Sequence, residues 1–337
     1  MAGGVGSRFW PMSRNARPKQ FLDVLGTGKT LIQQTYERFL KVCPKENIII
    51  VTNADYTSTV LEQLPDLHPD QVLSEPLRRN TAPCMVYAAN RILKLNPNAN
   101  MVVAPSDHVI MKEEAFIEAV KGCLAFTADQ DVLLTLGIKP SRPDTGYGYI
   151  QFIDDKVEKL NKISKVKTFT EKPDLEMAKF FLQTGEFLWN AGIFIWNLKS
   201  IMKAFDEHLP EMSSIFKEGE SLYGTPAEED FIKTAYEQCT NISIDFAVME
   251  KARNVFVMSA EFGWSDLGTW GSLYEHVKHD ENANAIVGKN VMMYDSSNCI
   301  VNVPKDKLVV LQGLNDYIVV ESDNILLVCR IQDEQQI

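Results

Sequence analysis

From Leu31 onward the apolar positions switch back and forth between two periods. Leu31 to Val42 places them at helical spacing, and Ile48 to Thr52 follows as a short β-branched run suited to a buried strand. The exchange continues with a helix over Tyr56 to Leu64, a strand over Gln71 to Leu73 and a helix over Thr81 to Leu95. A strand at Met101 to Ala104, a helix over Glu113 to Phe126 and a strand over Val132 to Ile138 complete it. Strands separated by helices return in the same direction, so this order predicts an α/β fold with a mostly parallel sheet and helices on both faces. Such sheets bind ligands at the carboxyl ends of their strands. The loops at those ends carry Asn53, Ser74-Glu75 and Pro105-Ser106-Asp107.

After about residue 285 the pattern changes. Five β-rich stretches begin near Asn290, Cys299, Leu308, Tyr317 and Ile325, separated by short polar turns such as Asp295–Asn298 and Ser322–Asn324. Even, short spacing predicts a small all-β unit, a solenoid or equally a meander. The expected division is therefore a domain over 1–284 and a small β-rich one over 285–337.

Bulk composition narrows the classes. Of the 337 residues, 45% are apolar and 23% charged, as in ordinary globular proteins. A net charge of −11 argues against nucleic acid as a partner, because no basic excess is present to displace counterions from phosphates. Six cysteines lie far apart with no Cys-x-x-Cys pair, which reads as reduced, cytoplasmic usage. No signal peptide is evident. The longest apolar stretch, Phe187 to Trp196, is interrupted by Asn190 and too short to cross a bilayer, so no membrane partner is expected.

The candidate chemistry concentrates near the start. Gly3, Gly4 and Gly6 stand almost adjacent, with Ser7 and Arg8 behind them and Lys19 further on. Glycines let successive backbone N–H groups approach an anion, and Arg8 and Lys19 add full charge, so a polyphosphate is the expected guest. The segment lacks the third glycine of the dinucleotide fingerprint, and Gly26 to Thr30 lacks the first glycine of a P-loop. A loop of this kind should follow a buried strand. Only Met1 and Ala2 precede it; the expectation is that residues of such a strand are missing from this start, the alternative being a fold that tolerates the missing strand.

Gly3 to Pro11 followed by Arg17-Pro18-Lys19-Gln20-Phe21 resembles the signature of sugar nucleotidyltransferases, and specifically of the mannose-1-phosphate guanylyltransferase family. The similarity runs on through Glu75 to Pro83, Pro105 to His108, Gly146 to Ile150, Glu171-Lys172-Pro173, Asn190 to Phe194 and Trp264 to Gly268. The resemblance implies a Rossmann-like nucleotidyltransferase (GT-A-like) fold and a short left-handed β-helix-like C-terminal domain, with a homodimer expected. It also implies transfer of GMP from GTP to α-D-mannose 1-phosphate, giving GDP-mannose and pyrophosphate. A related transferase of other nucleotide or hexose specificity and a non-catalytic regulatory homologue are the alternatives.

Residue roles follow from the same likeness. Asp107 and Asp266, each of which alone reads as a cap or turn carboxylate, become the ligands of Mg²⁺. Arg8, Lys19 and the glycine amides take the departing phosphates, and Lys172 takes the sugar phosphate. Gly146, Glu171, Asn190 and Gly192 line the sugar pocket, while Glu75, Asn80 and Thr81 face the base, with Glu75 alternatively bracing its loop. His108 is expected to shape its loop, because an anionic phosphate nucleophile needs no base. Trp189 and Trp196 are expected in the core.

Overall fold

The structure is a computed structural model and describes residues 1–4, 6, 9–153 and 162–337. The chain divides into two compact units, one of residues 1–3, 38–105 and 110–264, the other of 4–37, 106–109 and 265–337. They are not separated at the 284/285 position read from the sequence.

The first unit is built on a six-stranded sheet. Its order is Asn100–Val103, Phe187–Asn197, Leu133–Ile138, Val255–Ser259, Ile163–Thr170 and Tyr149–Phe152, and Tyr149–Phe152 also pairs with Phe187–Asn197. Only Leu133–Ile138 and Val255–Ser259 pair in parallel; every other pairing in this sheet is antiparallel. The mostly parallel sheet expected from the sequence is thus corrected to a mixed one. Strand–helix alternation holds as far as Ile138. Beyond it, Phe187–Asn197 inserts between two strands that both run against it, and Tyr149–Phe152 lies antiparallel beside Ile163–Thr170. A separate parallel pair joins Ile50–Asn53 to Val72–Glu75. Ala2 donates its N–H to Val51 O at 2.7 Å, and the amino group of Met1 donates to Ala104 O at 2.8 Å.

Both faces of the six-stranded sheet are covered, as expected. Side chains alternate along a strand, so Leu188, Phe194 and Trp196 enter one core with Met85, Phe205 and Phe216 from the helices Thr81–Leu95, Leu198–His208 and Pro210–Lys217. Trp189, Ile193 and Ile195 enter the opposite core with Phe116 and Phe181 from Glu113–Thr127 and Leu175–Thr184. Both tryptophans are core residues, 4% and 0% exposed.

In the second unit the five β stretches after 285 all form, preceded by Ala285–Val287. Ala285 lies beside Ile300 and Ile300 beside Ile318 in parallel register; Asn290–Tyr294 pairs in parallel with Leu308–Gln312, and Ser297 bridges Asn315. Successive turns of the chain therefore stack, and only Ile325–Arg330 closes the series antiparallel. A meander, which joins consecutive strands antiparallel, does not describe these pairs. Inside the turns sit Cys299, Val301, Val303 and Val319. Ile300, Ile318 and Val320 instead join Phe9, Leu22 and Trp270, which explains why this unit reaches back to the glycine-rich segment. The Phe9 and Trp270 rings lie 4.8 Å apart, and Arg14 reaches Asp323 at 2.8 Å.

All six cysteines are free. Among the described residues no helix is long and apolar enough to cross a membrane.

Candidate active site

In the second unit the glycine-rich segment is held from its own side. Gln20 donates its side-chain amide to Gly4 O at 3.0 Å, and the Ser13 hydroxyl donates to Gly6 O. Gly6 has φ +63, and a Cβ there would stand 2.6 Å from the Cβ of Lys19, so glycine is required on both counts. Ser7 and Arg8 lie outside the described residues.

Lys19 is buried, in the turn Lys19–Phe21. An ammonium carries three N–H donors, and three acceptors meet this one: Asp107 Oδ2 at 2.9 Å, Asp266 O at 2.5 Å and Leu267 O at 3.2 Å. Leu267 holds φ +45, a left-handed conformation that a β-carbon disfavours. Next to it, Gly268 N donates to Asp266 Oδ1 at 2.9 Å. Burial alone would raise the Asp107 carboxyl, but the Lys19 ammonium, helped by His108, outweighs it and holds Asp107 below the usual carboxylate range. His108, whose Nε2 is 3.9 Å from Asp107 Oδ1, is lowered by burial against the pull of the Asp107 and Asp266 charges.

The first unit carries two further groups. Glu75 closes the strand Val72–Glu75, is buried, and accepts the Tyr236 hydroxyl at 2.9 Å. Burial pushes its carboxyl up to about 7 in spite of that hydrogen bond. A Cβ on Gly3 would stand 3.3 Å from Glu75 Oε2. Asn80, at φ +67, caps the helix through Thr81 N at 3.0 Å, and Thr81 Oγ1 accepts Ile244 N at 2.9 Å. Glu75 is thus tied to Tyr236 on the helix Glu228–Gln238, and Asn80 and Thr81 stand at the start of the helix Thr81–Leu95.

The second group gathers Glu171, Lys172 and Asn190. Lys172 lies 3.2 Å from the Glu171 carboxylate and keeps 62% of its side chain exposed. The Asn190 amide oxygen accepts Thr135 Oγ1 at 3.0 Å and Gly192 N at 3.1 Å, and its nitrogen donates to Asp245 Oδ1 at 2.9 Å. Glu171 N donates to Glu250 Oε1 at 3.2 Å. A Cβ on Gly148 would stand 2.5 Å from Glu171 Oε2, so close backbone approach is required there. Gly146 occupies a turn capped by Asp144. Asp245 opens a π-helical turn, Asp245–Met249, and burial, with the Glu171 charge second, pushes its carboxyl up to about 7.

Residues 1–283 match the nucleotidyl transferase family. The mannose-1-phosphate guanylyltransferases of Escherichia coli and Klebsiella pneumoniae are 32% and 33% identical to the chain, over 100% of it and over 73% and 71% of their own lengths. The chain belongs to the mannose-1-phosphate guanylyltransferase family. It is similar to the crystal structure of mannose-1-phosphate geranyltransferase from Thermus thermophilus, with 30% identity and a TM-score of 0.88 over 100% of this chain and 95% of that one.

In this guanylyltransferase-family enzyme the structure gathers Lys19, Asp107 and the Asp266 backbone in one group, and Glu171, Lys172, Asn190 and Gly192 in another. Among the described residues no three or more His, Cys, Asp or Glu side chains converge as a metal cage. Mg²⁺ takes one or two carboxylates and completes its shell with phosphate oxygens and water. The donor set of Asp107 and Asp266 fits that ion. The sequence reading missed Asp245, Glu250, Gly148 and Tyr236. For Asp245 a signal was present: it is the one acid in the run Ile244 to Met249, where an ionisable group calls for a partner.

Proposed function

We propose that this nucleotidyltransferase moves GMP from GTP to α-D-mannose 1-phosphate, releasing pyrophosphate and forming GDP-mannose. The relationship along the whole chain to enzymes bearing the guanylyltransferase name carries this reading. A phosphate oxygen of the sugar phosphate attacks the α-phosphorus in line as the bond to the β-phosphate oxygen breaks, and pyrophosphate leaves with that electron pair. The nucleophile is already anionic, so no general base is required and no covalent intermediate arises.

The amides of Gly3, Gly4 and Gly6, with Ser7 and Arg8, hold the departing phosphates, and the charge of Lys19 favours them. Lys172 orients the sugar phosphate. Gly146, Glu171, Asn190 and Gly192 line the sugar side, and Glu75, Asn80 and Thr81 the base side. Asp107 and Asp266 would hold Mg²⁺, which when bound neutralises phosphate charge and helps to orient the phosphates.

Residues 1–284 form the catalytic portion in this reading, in line with the family match through 283. Residues 285–337 form an accessory coil whose left-handed sense is taken from the family likeness. A reducing, cytoplasmic setting suits six free thiols. The active form is a homodimer: alternate side chains of Asn290–Tyr294 and Leu308–Gln312 leave Met292, Tyr294, Leu308 and Val310 about half exposed, a surface that association would cover. Light scattering on the purified chain should give a two-chain mass, and a monomer at micromolar concentration would remove this part.

The reaction is tested with a panel of nucleoside triphosphates and hexose 1-phosphates in Mg²⁺, measuring pyrophosphate release. GTP with mannose 1-phosphate is expected to give the fastest release. Preference for UTP or dTTP would replace the specificity, and no release with any pair would make the chain a non-catalytic nucleotide-sugar binder.

A further inference from the structure

The segment from Ile242 to Glu250 touches several residues to which the proposed reaction gives roles. Ala82 N donates to Ile242 O at 3.1 Å and Ile244 N to Thr81 Oγ1 at 2.9 Å, at the start of the helix Thr81–Leu95. Asp245 then accepts from the Asn190 amide, and Glu250 accepts from the backbone of Glu171. The turn in between is π-helical, a form that widens the helix by one residue and recurs at functional sites. Through its two ends the turn meets the Asn190 side chain and the Glu171 main chain.

The consequence for Asn190 is specific. A side-chain amide has two acceptor positions on oxygen and two donor positions on nitrogen. Thr135 and Gly192 fill the acceptor side, and Asp245 takes one donor. With the oxygen fixed on one side and the nitrogen on the other, the amide cannot flip, and its second N–H is what it can offer a ligand. Glu171 supplies the matching acceptor: its carboxylate lies against the bare backbone of Gly148, with Lys172 at 3.2 Å.

We propose that Asp245 is a positioning residue that determines sugar specificity, by fixing the Asn190 amide so that it and Glu171 present one donor and one acceptor to neighbouring hydroxyls of a hexose 1-phosphate. This rests on the reading above that Glu171 and Asn190 face the sugar. Asp245 does not itself touch substrate. Among the described residues, the charges that act on it are Glu171, which raises it, and Lys172, which lowers it. Its carboxyl, raised to about 7 by burial and by Glu171, costs the fold stability progressively as pH rises from the unfolded value of about 4 to about 7, and the full cost remains above that.

The test uses the full chain with Asp245→Asn and Asp245→Ser. Both variants are expected to melt at or above the wild-type temperature at pH 8, because they remove a disfavoured charge. Asp245→Ser should raise KM for the preferred hexose 1-phosphate about tenfold or more, the equivalent of about 1.4 kcal/mol, and narrow the preference among hexose 1-phosphates, whereas Asp245→Asn, whose amide oxygen can still accept from Asn190, should raise it less. KM for the nucleoside triphosphate should stay within about twofold. Sugar phosphate KM in the wild type should worsen as pH falls through 7, beyond any change in Asp245→Asn under the same conditions. Unchanged sugar KM and preference in both variants, or a loss of melting temperature that accounts for the lost activity, would overturn the role of Asp245. If the wild type itself binds no hexose 1-phosphate by calorimetry, the sugar-facing reading fails instead, and the two failures are distinct.

Discussion

Asp107→Asn is expected to lower kcat by about two to three orders of magnitude while the protein remains folded. The magnitude is that of losing one preorganised electrostatic contact to a reacting phosphate. Asn keeps the size of Asp107 and can still accept one hydrogen bond from Lys19, so the loops stay in place. It cannot supply the full charge that the proposed metal requires. KM for the sugar phosphate should change much less, because Glu171, Lys172 and Asn190 are untouched. Near-normal turnover would remove Asp107 from the chemistry. The variant also has a signature in acid. The folded carboxyl titrates below its unfolded value of about 3.9, so its contribution to stability is present above that pH and disappears as pH falls through the folded value. The melting-temperature difference between wild type and Asp107→Asn should therefore be largest near neutrality and shrink below about pH 4.

Lys19→Met should be worse, in both stability and activity. Methionine matches the length of the lysine stem but leaves the Asp107 carboxylate and two carbonyls without their common donor. Removing one partner of a buried ion pair costs on the order of 3 kcal/mol. The left-handed Leu267, one of whose carbonyl contacts is with Lys19, would also lose a restraint on its strained backbone. A melting temperature lower by about 5–10 °C is expected, with kcat reduced by at least the factor expected for Asp107→Asn. A variant that melts like the wild type and loses only affinity for the triphosphate would show that Lys19 acts as a phosphate contact and not as a tie between loops.

Much of this was legible in the sequence where local rules govern. The helix over Thr81 to Leu95 and the five C-terminal strands appear where the patterns place them. Sheet direction was not legible. A strand run such as Phe187 to Asn197 carries no mark of which neighbours it will insert between, and it turned a parallel expectation into a mixed sheet. Within the site, glycines and paired charges announced themselves by type. The threefold engagement of Lys19 did not, because its backbone acceptors at 266 and 267 are invisible in side-chain chemistry and lie far along the chain. Asp245 was passed over because a single acid in an apolar run matches no motif. Its meaning comes from the partner Asn190, brought to it by the fold.

The segment from Ile242 to Glu250 meets the Thr81 helix start through Ile242 and Ile244, Asn190 through Asp245 and Glu171 through Glu250. In the proposed reaction the nucleotide and the sugar phosphate both bear on this one segment, and ligands coupled in that way do not bind with independent free energies. Whatever affinity the nucleotide lends the sugar phosphate through this piece, the sugar phosphate returns by the same factor, since linkage between binding equilibria is reciprocal. Measuring each affinity in the presence of the other then reads the coupling that this turn carries.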